Sequence, residues 1–407
     1  MSNNFDFKEL LKDKIIKKVV DIAKELDAKV YLVGGAVRDY IYFKKPVKDY
    51  DFVVTNEFER FHKQLRVALN AEFLGMSEFK TVKLRLEDGT IIDVARSRVE
   101  EYYKPGALPV VRFVSDIKQD LKRRDFTINA MAISMNPFGE LIDPFGGLDD
   151  LKNKKIKVIY AEIFTDDPTR AFRAVRYKIR FGFEYDEQTK KEFENAKEYM
   201  SDISFERVKN ELKRYTLEDK RVDMFYETAR LKFMEKIVFN TEIPKEEFQT
   251  IDDALRELFP EKNEEQWIYF FLPFINYTLP IGTEYGYTFT KDERRILENV
   301  MSVLKDKEIP EDVWRMHKNY KKFDAGALII IARLKKHKNL EEYIKKREKV
   351  KLYLTGNELM ELGVPRGRLL GEYKDKIFVA HIQGLIKSRE DEIQYVKELL
   401  AKRRSKE

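Results

Sequence analysis

Residues 30–54 read VYLVGGAVRDYIYFKKPVKDYDFVV, and their reading decides the fold. A short β-rich run, KVYLV, stops at Gly34–Gly35, a helical stretch carrying Arg38 and Asp39 follows, and DYDFVV returns to strand. Two aspartates, Asp49 and Asp51, therefore stand against an otherwise apolar strand. Alternate strand residues share a face, which places the two carboxylates together with Cα atoms about 6–7 Å apart. Burying such a pair is costly unless something positive is held there. A third carboxylate, Asp93, lies in a second β-like run, TIIDVARSR. Three carboxylates from neighbouring strands suit hard cations that take oxygen ligands, and a pair of Mg²⁺ ions shared with substrate phosphates is the expected occupant. Standing alone, DYD reads more readily as a solvated turn after Pro46. The glycine pair upstream shifts that weight. Gly34 and Gly35 at a helix start let phosphate oxygens approach backbone N–H groups, and Arg38 adds a fork of donors.

The rest of the chain fits a globular protein of several domains. Of its 407 residues, 43% are hydrophobic and 13% aromatic, enough for a substantial core. It has no cysteine and four scattered histidines, which excludes disulfides and thiolate metal sites and makes any metal an oxygen-bound one. The start MSNNFDFKELLKDKIIKK lacks the apolar core of a signal peptide, and no run approaches a membrane span, so a cytoplasmic location is expected. Net charge +6 permits a polyanionic partner. An amphipathic helix is expected over Phe7–Leu26, with strands near 29–33, 51–54, 81–86, 91–96 and 130–134. The turn-rich GELIDPFGGLDDLKNKKIKVI closes this region, and helical periodicity dominates beyond it. The fold class is accordingly α+β: a small mixed sheet with helices, then an all-helical remainder.

GGAVRD followed by DYD resembles the polymerase-β type of nucleotidyltransferase, and RRDFTINAMA at 123–132 narrows the likeness. The combination is similar to the bacterial-eukaryotic class of tRNA nucleotidyltransferases, the CCA-adding enzymes, and to the bacterial poly(A) polymerases that share their head. LIDPFGGLDDL, DDPTRAFRAVRY and SFERVKNEL resemble the later motifs in order, and LTGNELMELGVPRGRLLG resembles a C-terminal element of bacterial members. The likeness covers residues 30–215 and resumes at 353–371. It implies a catalytic head over 1–147, a base-recognising neck over 148–218, a body over 219–300 and a tRNA-binding tail over 301–407. It implies CTP and ATP as substrates and tRNA, through its acceptor and TΨC arm, as the polymer extended.

In RRDFTINA, Asp125 can accept from a ribose hydroxyl and Asn129 can bridge sugar to backbone, while Arg123 and Arg124 offer charge to phosphate; Arg98 is a further phosphate candidate. DDPTRAFRAVRYKIR bears on specificity. Asp167 before Pro168 reads as an N-cap and first helical position, with Arg170 three residues on and able to act with it. A carboxylate only accepts and a guanidinium only donates. Cytosine and adenine both present an amino donor beside a ring-nitrogen acceptor; uracil and guanine present a carbonyl where the amino group would be, a mismatch of about 1–3 kcal/mol. The resemblance gives this task to the matching residues, Asp167 and Arg170. The family commonly has Glu-Asp where this chain has Asp166–Asp167, which puts the role of Asp166 in question. Arg173, Arg176 and Arg180 continue along the helix toward triphosphate or primer, or form a solvated basic face. SFERVKNEL reads as scaffold.

The basic runs KKHKNLEEYIKKREKVK and AKRRSKE are candidate RNA contacts, though charge runs on helices are more often solvated faces. The leading expectation is Mg²⁺-dependent addition of C and A to tRNA 3′ ends. The rival is a CC-only enzyme, which shares every motif and differs within the segment RSRVEEYYKPGALPVVRF. An A-adding enzyme or poly(A) polymerase ranks below these. A non-catalytic RNA-binding protein would be expected to have lost a metal carboxylate, and Asp49 and Asp51 are both retained.

Overall fold

A computed structural model of the chain describes residues 6–44, 46–278, 286–306 and 308–404. The last three residues of the basic AKRRSKE run lie outside them. Two compact units emerge: one runs to Glu211 and takes back Leu231–Ile237, and the other comprises Leu212–Arg230 and the chain from Val238 onward.

Among the described residues the first unit has eleven strands: β1 (Val30–Val33), β2 (Tyr50–Val54), β3 (Glu72–Met76), β4 (Thr81–Arg85), β5 (Ile91–Arg96), β6 (Arg98–Glu101), β7 (Val110–Phe113), β8 (Ala132–Met135), β9 (Phe138–Ile142) and a short parallel pair, β10 (Lys155–Ile156) with β11 (Glu184–Tyr185). Seven make one mixed sheet in the order β3-β4-β5-β2-β1-β8-β9. The β2–β5 pair is parallel and its neighbours in the sheet pair antiparallel. In the β2–β5 register Asp51 faces Asp93, so the two carboxylates expected to work together are cross-strand neighbours on one face. All five expected strands are present. β3, β9, the separate β6–β7 hairpin and the two-stranded β10–β11 sheet are additional.

The expected helix over Phe7–Leu26 is interrupted. A 3₁₀ turn, Lys8–Lys12, precedes α1 (Lys14–Glu25), because the Asp13 side chain caps α1 by accepting from the Ile15 and Ile16 N–H groups. α2 (Gly35–Phe43) follows β1 directly, α3 (Phe58–Ala68) covers the sheet, and α4 (Ile117–Lys122) packs Ile117 and Leu121 against Val33, Val53 and Ala132. That packing fixes the segment Asp120–Asp125 beside the strand ends. After α5 (Gly147–Lys152) and α6 (Ile163–Asp166), α7 (Arg170–Phe181) buries Ala171, Phe172, Ala174 and Val175. Its arginines stand at 170, 173, 176 and 180, three or four residues apart. α8 (Glu187–Tyr199) and α9 (Phe205–Thr216) complete the series, and the division between units falls within α9.

The second unit is all-helical among the described residues. Its core stacks Phe225 on Phe270 at 4.6 Å between centroids and buries Trp267 fully. The helix Ala325–Leu334 is buried along almost its whole length, and Gly326 is required there: a Cβ would lie 2.7 Å from the Tyr269 hydroxyl. A buried Arg221–Asp252 pair at 2.5 Å adds a polar tie. Toward the C-terminus, Leu354, Leu359, Tyr373, Ile377 and Val396 form their own cluster. No described helix is long and apolar enough to cross a membrane.

Candidate active site

The strand ends, α2, the segment just after α4 and α7 of the first unit surround a cavity of about 510 Å³. Its lining includes Gly34, Gly35, Arg38, Asp49, Asp51, Arg124, Asp125, Asn129, Asp167, Arg170, Arg173 and Arg176. Two expected site residues are absent from that wall. Asp93 stands beside it, and Arg98 is committed elsewhere: its Nε donates to Glu100 at 3.0 Å and its Nη1 to the Phe79 carbonyl at 3.2 Å. Arg98 is therefore a brace of the β6–β7 hairpin in this structure.

Asp49 is exposed just before β2, and Asp51 is half-buried within it. Burial pushes the Asp51 carboxyl above its ordinary value; Arg124 and Lys83 oppose this, while Asp93 and Asp49 add to it. Such a carboxylate gains most from a further positive charge, and the donor set is all oxygen, which fits a hard divalent ion. Among the described residues, however, no three acidic or histidine side chains already form a ligand group. The expected three-carboxylate centre is not assembled. Lys83 faces Asp93 across the β4–β5 pairing and donates to both its oxygens at 2.7 and 3.0 Å, so that carboxylate is already engaged.

The turn between β1 and α2 is shaped for close approach. Gly34 has φ +70°, and a Cβ there would come within 2.8 Å of Arg124 Nη1, so only glycine lets the guanidinium lie on the turn. Arg124 is paired with Asp120 at 3.6 Å, and its Nε is buried with no acceptor among the described residues. An orphaned buried donor costs about 1–3 kcal/mol, a penalty an anionic oxygen would remove. Asp120 is fully buried and also accepts from Arg123 Nε at 3.0 Å and the Arg98 N–H at 3.1 Å.

Arg38, Asn129, Asp125 and Arg173 form one chain. Arg38 Nη1 donates to Asn129 Oδ1 at 2.6 Å, Asn129 Nδ2 to Asp125 Oδ1 at 2.9 Å, and Arg173 Nε to Asp125 Oδ2 at 2.6 Å. Burial opposes ionising Asp125, but Arg173 and Asn129 more than offset it and hold the carboxyl below its ordinary value. Arg38 is buried with its guanidinium 4.6 Å from the Phe181 ring centre and 5.2 Å from that of Tyr177. Arg176 pairs with Glu211 at 3.4 Å. These cations are held in place before any ligand arrives.

Asp167 and Arg170 both line the cavity without bonding each other's side chains. The expected helix start is displaced: Asp167 is extended, Thr169 is the N-cap and α7 begins at Arg170. The Asp167 side chain still closes the turn, its Oδ1 accepting from Thr169 N at 3.0 Å and Oγ1 at 2.6 Å. Arg207 Nη2 reaches the same oxygen at 2.7 Å, leaving Oδ2 without a donor among the described residues. Arg170 spends three of its five N–H groups on Tyr160 Oη, the Ile163 carbonyl and the Arg123 carbonyl, at 3.3, 3.4 and 3.0 Å. The Nε–H and one Nη2–H remain. Together they form an acceptor beside donors, the pattern inferred for cytosine and adenine.

Sequence reading missed Tyr102, Glu100, Asp120, Tyr160, Arg207 and Glu211. Three carried a readable signal. Asp120 precedes Arg123 and Arg124 by three and four positions, and Arg207 and Glu211 are four apart on α9, spacings that put residues on one helical face. The tyrosines gave none, because their roles depend on long-range packing: Tyr102 lies with its ring centre 5.9 Å from the Arg170 guanidinium, and its hydroxyl donates to Glu100 at 3.2 Å.

Residues 30–157 match the poly A polymerase head domain. The A-adding tRNA nucleotidyltransferase of Halalkalibacterium halodurans is 28% identical over 95% of this chain and 92% of its own length. The CC-adding enzyme of the same bacterium is 35% identical, over 49% of this chain and 48% of its own. Other A-adding relatives are longer, and the chain spans 46% and 42% of two of them. A CCA-adding enzyme solved in complex with ATP superposes with TM-score 0.73 at 26% identity, covering 98% of this chain and 94% of that one. Residues 30–157 thus carry the poly A polymerase head domain, and the chain as a whole is similar to A-adding tRNA nucleotidyltransferases and to CCA-adding enzymes.

Proposed function

We propose that the protein adds C and A, from CTP and ATP, to the 3′ end of tRNA, with protein side chains in place of a template. The observation that carries this is the edge left open by Asp167 and Arg170: Oδ2 can accept from an exocyclic amino group while Nε–H and Nη2–H donate to a ring acceptor. Uracil and guanine would set a carbonyl oxygen against the carboxylate. Arg124 and the Gly34–Gly35 turn receive triphosphate oxygens, and Arg173 and Arg176 complete the positive wall. Asp125 and Asn129 meet the ribose hydroxyls.

Asp49 and Asp51, joined by Asp93 once it exchanges Lys83 for the metal, would hold the Mg²⁺ pair, which would supply activation of the primer hydroxyl and charge neutralisation at the leaving pyrophosphate. The residues 301–407 are proposed to take the acceptor and TΨC arm by backbone shape rather than by base contacts.

A second reading, A-adding activity alone, is favoured by the extent of the Halalkalibacterium likeness: the A-adding enzyme matches along nearly the whole chain and the CC-adding enzyme along half. Product length separates the readings. With tRNA ending at the discriminator base and both CTP and ATP, three added nucleotides are expected. Two would show CC addition. No extension there, with a single A added to tRNA ending in CC, would show A addition.

A further inference from the structure

Asp166 and Arg170 carry opposite charges near the cavity, yet no direct ion pair joins them. Tyr160 does. Its hydroxyl donates to Asp166 Oδ2 at 2.7 Å and accepts from Arg170 Nη1 at 3.3 Å. The direction is fixed by chemistry: a carboxylate cannot donate, so the O–H points at Asp166 and its lone pairs are left for the guanidinium. Burial, with Asp166 adding to it and Arg170 opposing, pushes the phenol up to about 12, so the hydroxyl keeps its proton at working pH. The other two anchors of Arg170 are the Ile163 and Arg123 carbonyls, at 3.4 and 3.0 Å. Two points leave a planar group free to tilt about the line between them. The third, through Tyr160, sets the plane.

We propose that Tyr160 is a positioning residue for base selection, coupling Asp166 to Arg170 and thereby fixing the Nε–Nη2 edge that meets the incoming base. The proposal rests on the base-reading role given to Arg170 above. Asp166 then has a defined part: it orients the tyrosine hydroxyl and does not itself touch the base.

Tyr160→Phe tests this without removing the ring. Incorporation onto tRNA is measured with CTP, ATP and UTP separately. For whichever of CTP and ATP the wild-type chain uses faster, kcat/KM is expected to fall about 10-fold, with UTP use unchanged, so the preference narrows by the same factor. Adding Asp166→Glu to Tyr160→Phe lengthens the carboxylate by roughly 1.5 Å, enough to approach Nη1 itself, and is expected to restore most of the preference. A merely structural tyrosine would lower thermal stability, leave the ratio intact and gain nothing from the longer carboxylate. Should Tyr160→Phe fail to fold, Asp166→Ala removes the acceptor and interrupts the same chain, and is expected to narrow the ratio. An unchanged ratio in either single variant overturns the proposal while leaving nucleotide addition in place. A wild-type chain with no preference for C or A over U overturns the base-reading role, and this inference with it.

Discussion

The cavity arginines of the first unit and the basic helix Lys338–Arg347 of the second carry similar charge in the sequence and use it differently. In the cavity, Arg38, Arg124 and Arg170 are buried or nearly so, and each is bound by a network that runs through other site residues. On the helix, Leu340, Tyr343 and Ile344 are buried while Lys345 pairs with Glu341 and Glu257 at 2.8 Å, and Lys346 with Glu342 at 2.8 Å. Those lysines are screened by water and by acids one turn away, which is the geometry of a solvated face. Water cannot relieve the arginines, so the fold must hold them, and what is held can be aimed. Charge that the chain buries is immobilised, and charge it displays is not.

Four substitutions set the two regions against each other. The largest effect is expected for Asp51→Ala, which removes a cavity carboxylate: incorporation should fall below detection in a primer-extension assay while tRNA binding by gel shift stays near wild type. Arg170→Ala follows. Loss of its charge-assisted contacts should cost about 1.5–3 kcal/mol, or 10- to 100-fold in kcat/KM, together with the preference for C and A over U and G. Asp125→Asn should act on stability as well, lowering it by about 1.5–3 kcal/mol in urea unfolding at neutral pH. Because the folded state holds the Asp125 carboxyl below its ordinary value, its contribution is complete above pH ~4 and is lost as pH falls through the folded value. The gap between variant and wild type should therefore close in acid. Lys345→Ala, on the solvated helix, should shift stability by no more than about 0.5 kcal/mol, and less at high salt.

How far the site could be read in advance follows from the range of each interaction. The spacing of Asp49 and Asp51 and the glycine pair at the start of α2 are local patterns: both carboxylates line the cavity, although Asp49 falls just before β2 and is not part of the strand. That Asp51 lies opposite Asp93 also required β2 and β5 to be parallel neighbours, which no local pattern states. The engagement of Asp93 by Lys83 depends on β4 entering on the other side of β5. Arg98 was placed among phosphate ligands by its distance from Asp93 in sequence, but the β6–β7 hairpin carries it to Glu100. The start of α7 moved two residues because the Asp167 carboxylate closes a turn onto Thr169 before the helix begins, a shift of the size helix ends commonly show. SFERVKNEL, read as scaffold, forms most of α9, and Arg207 within it reaches Asp167.

The central claim is that the cavity residues of this chain select C and A for transfer to an RNA end. Its most direct test is single-nucleotide extension of tRNA lacking its terminal residues, one set ending at the discriminator base and one ending in CC, with each of the four nucleoside triphosphates and Mg²⁺. Extension with CTP, ATP or both in the appropriate set, and none with UTP or GTP, is the predicted result. Equal use of all four, or no extension of either set, would contradict it.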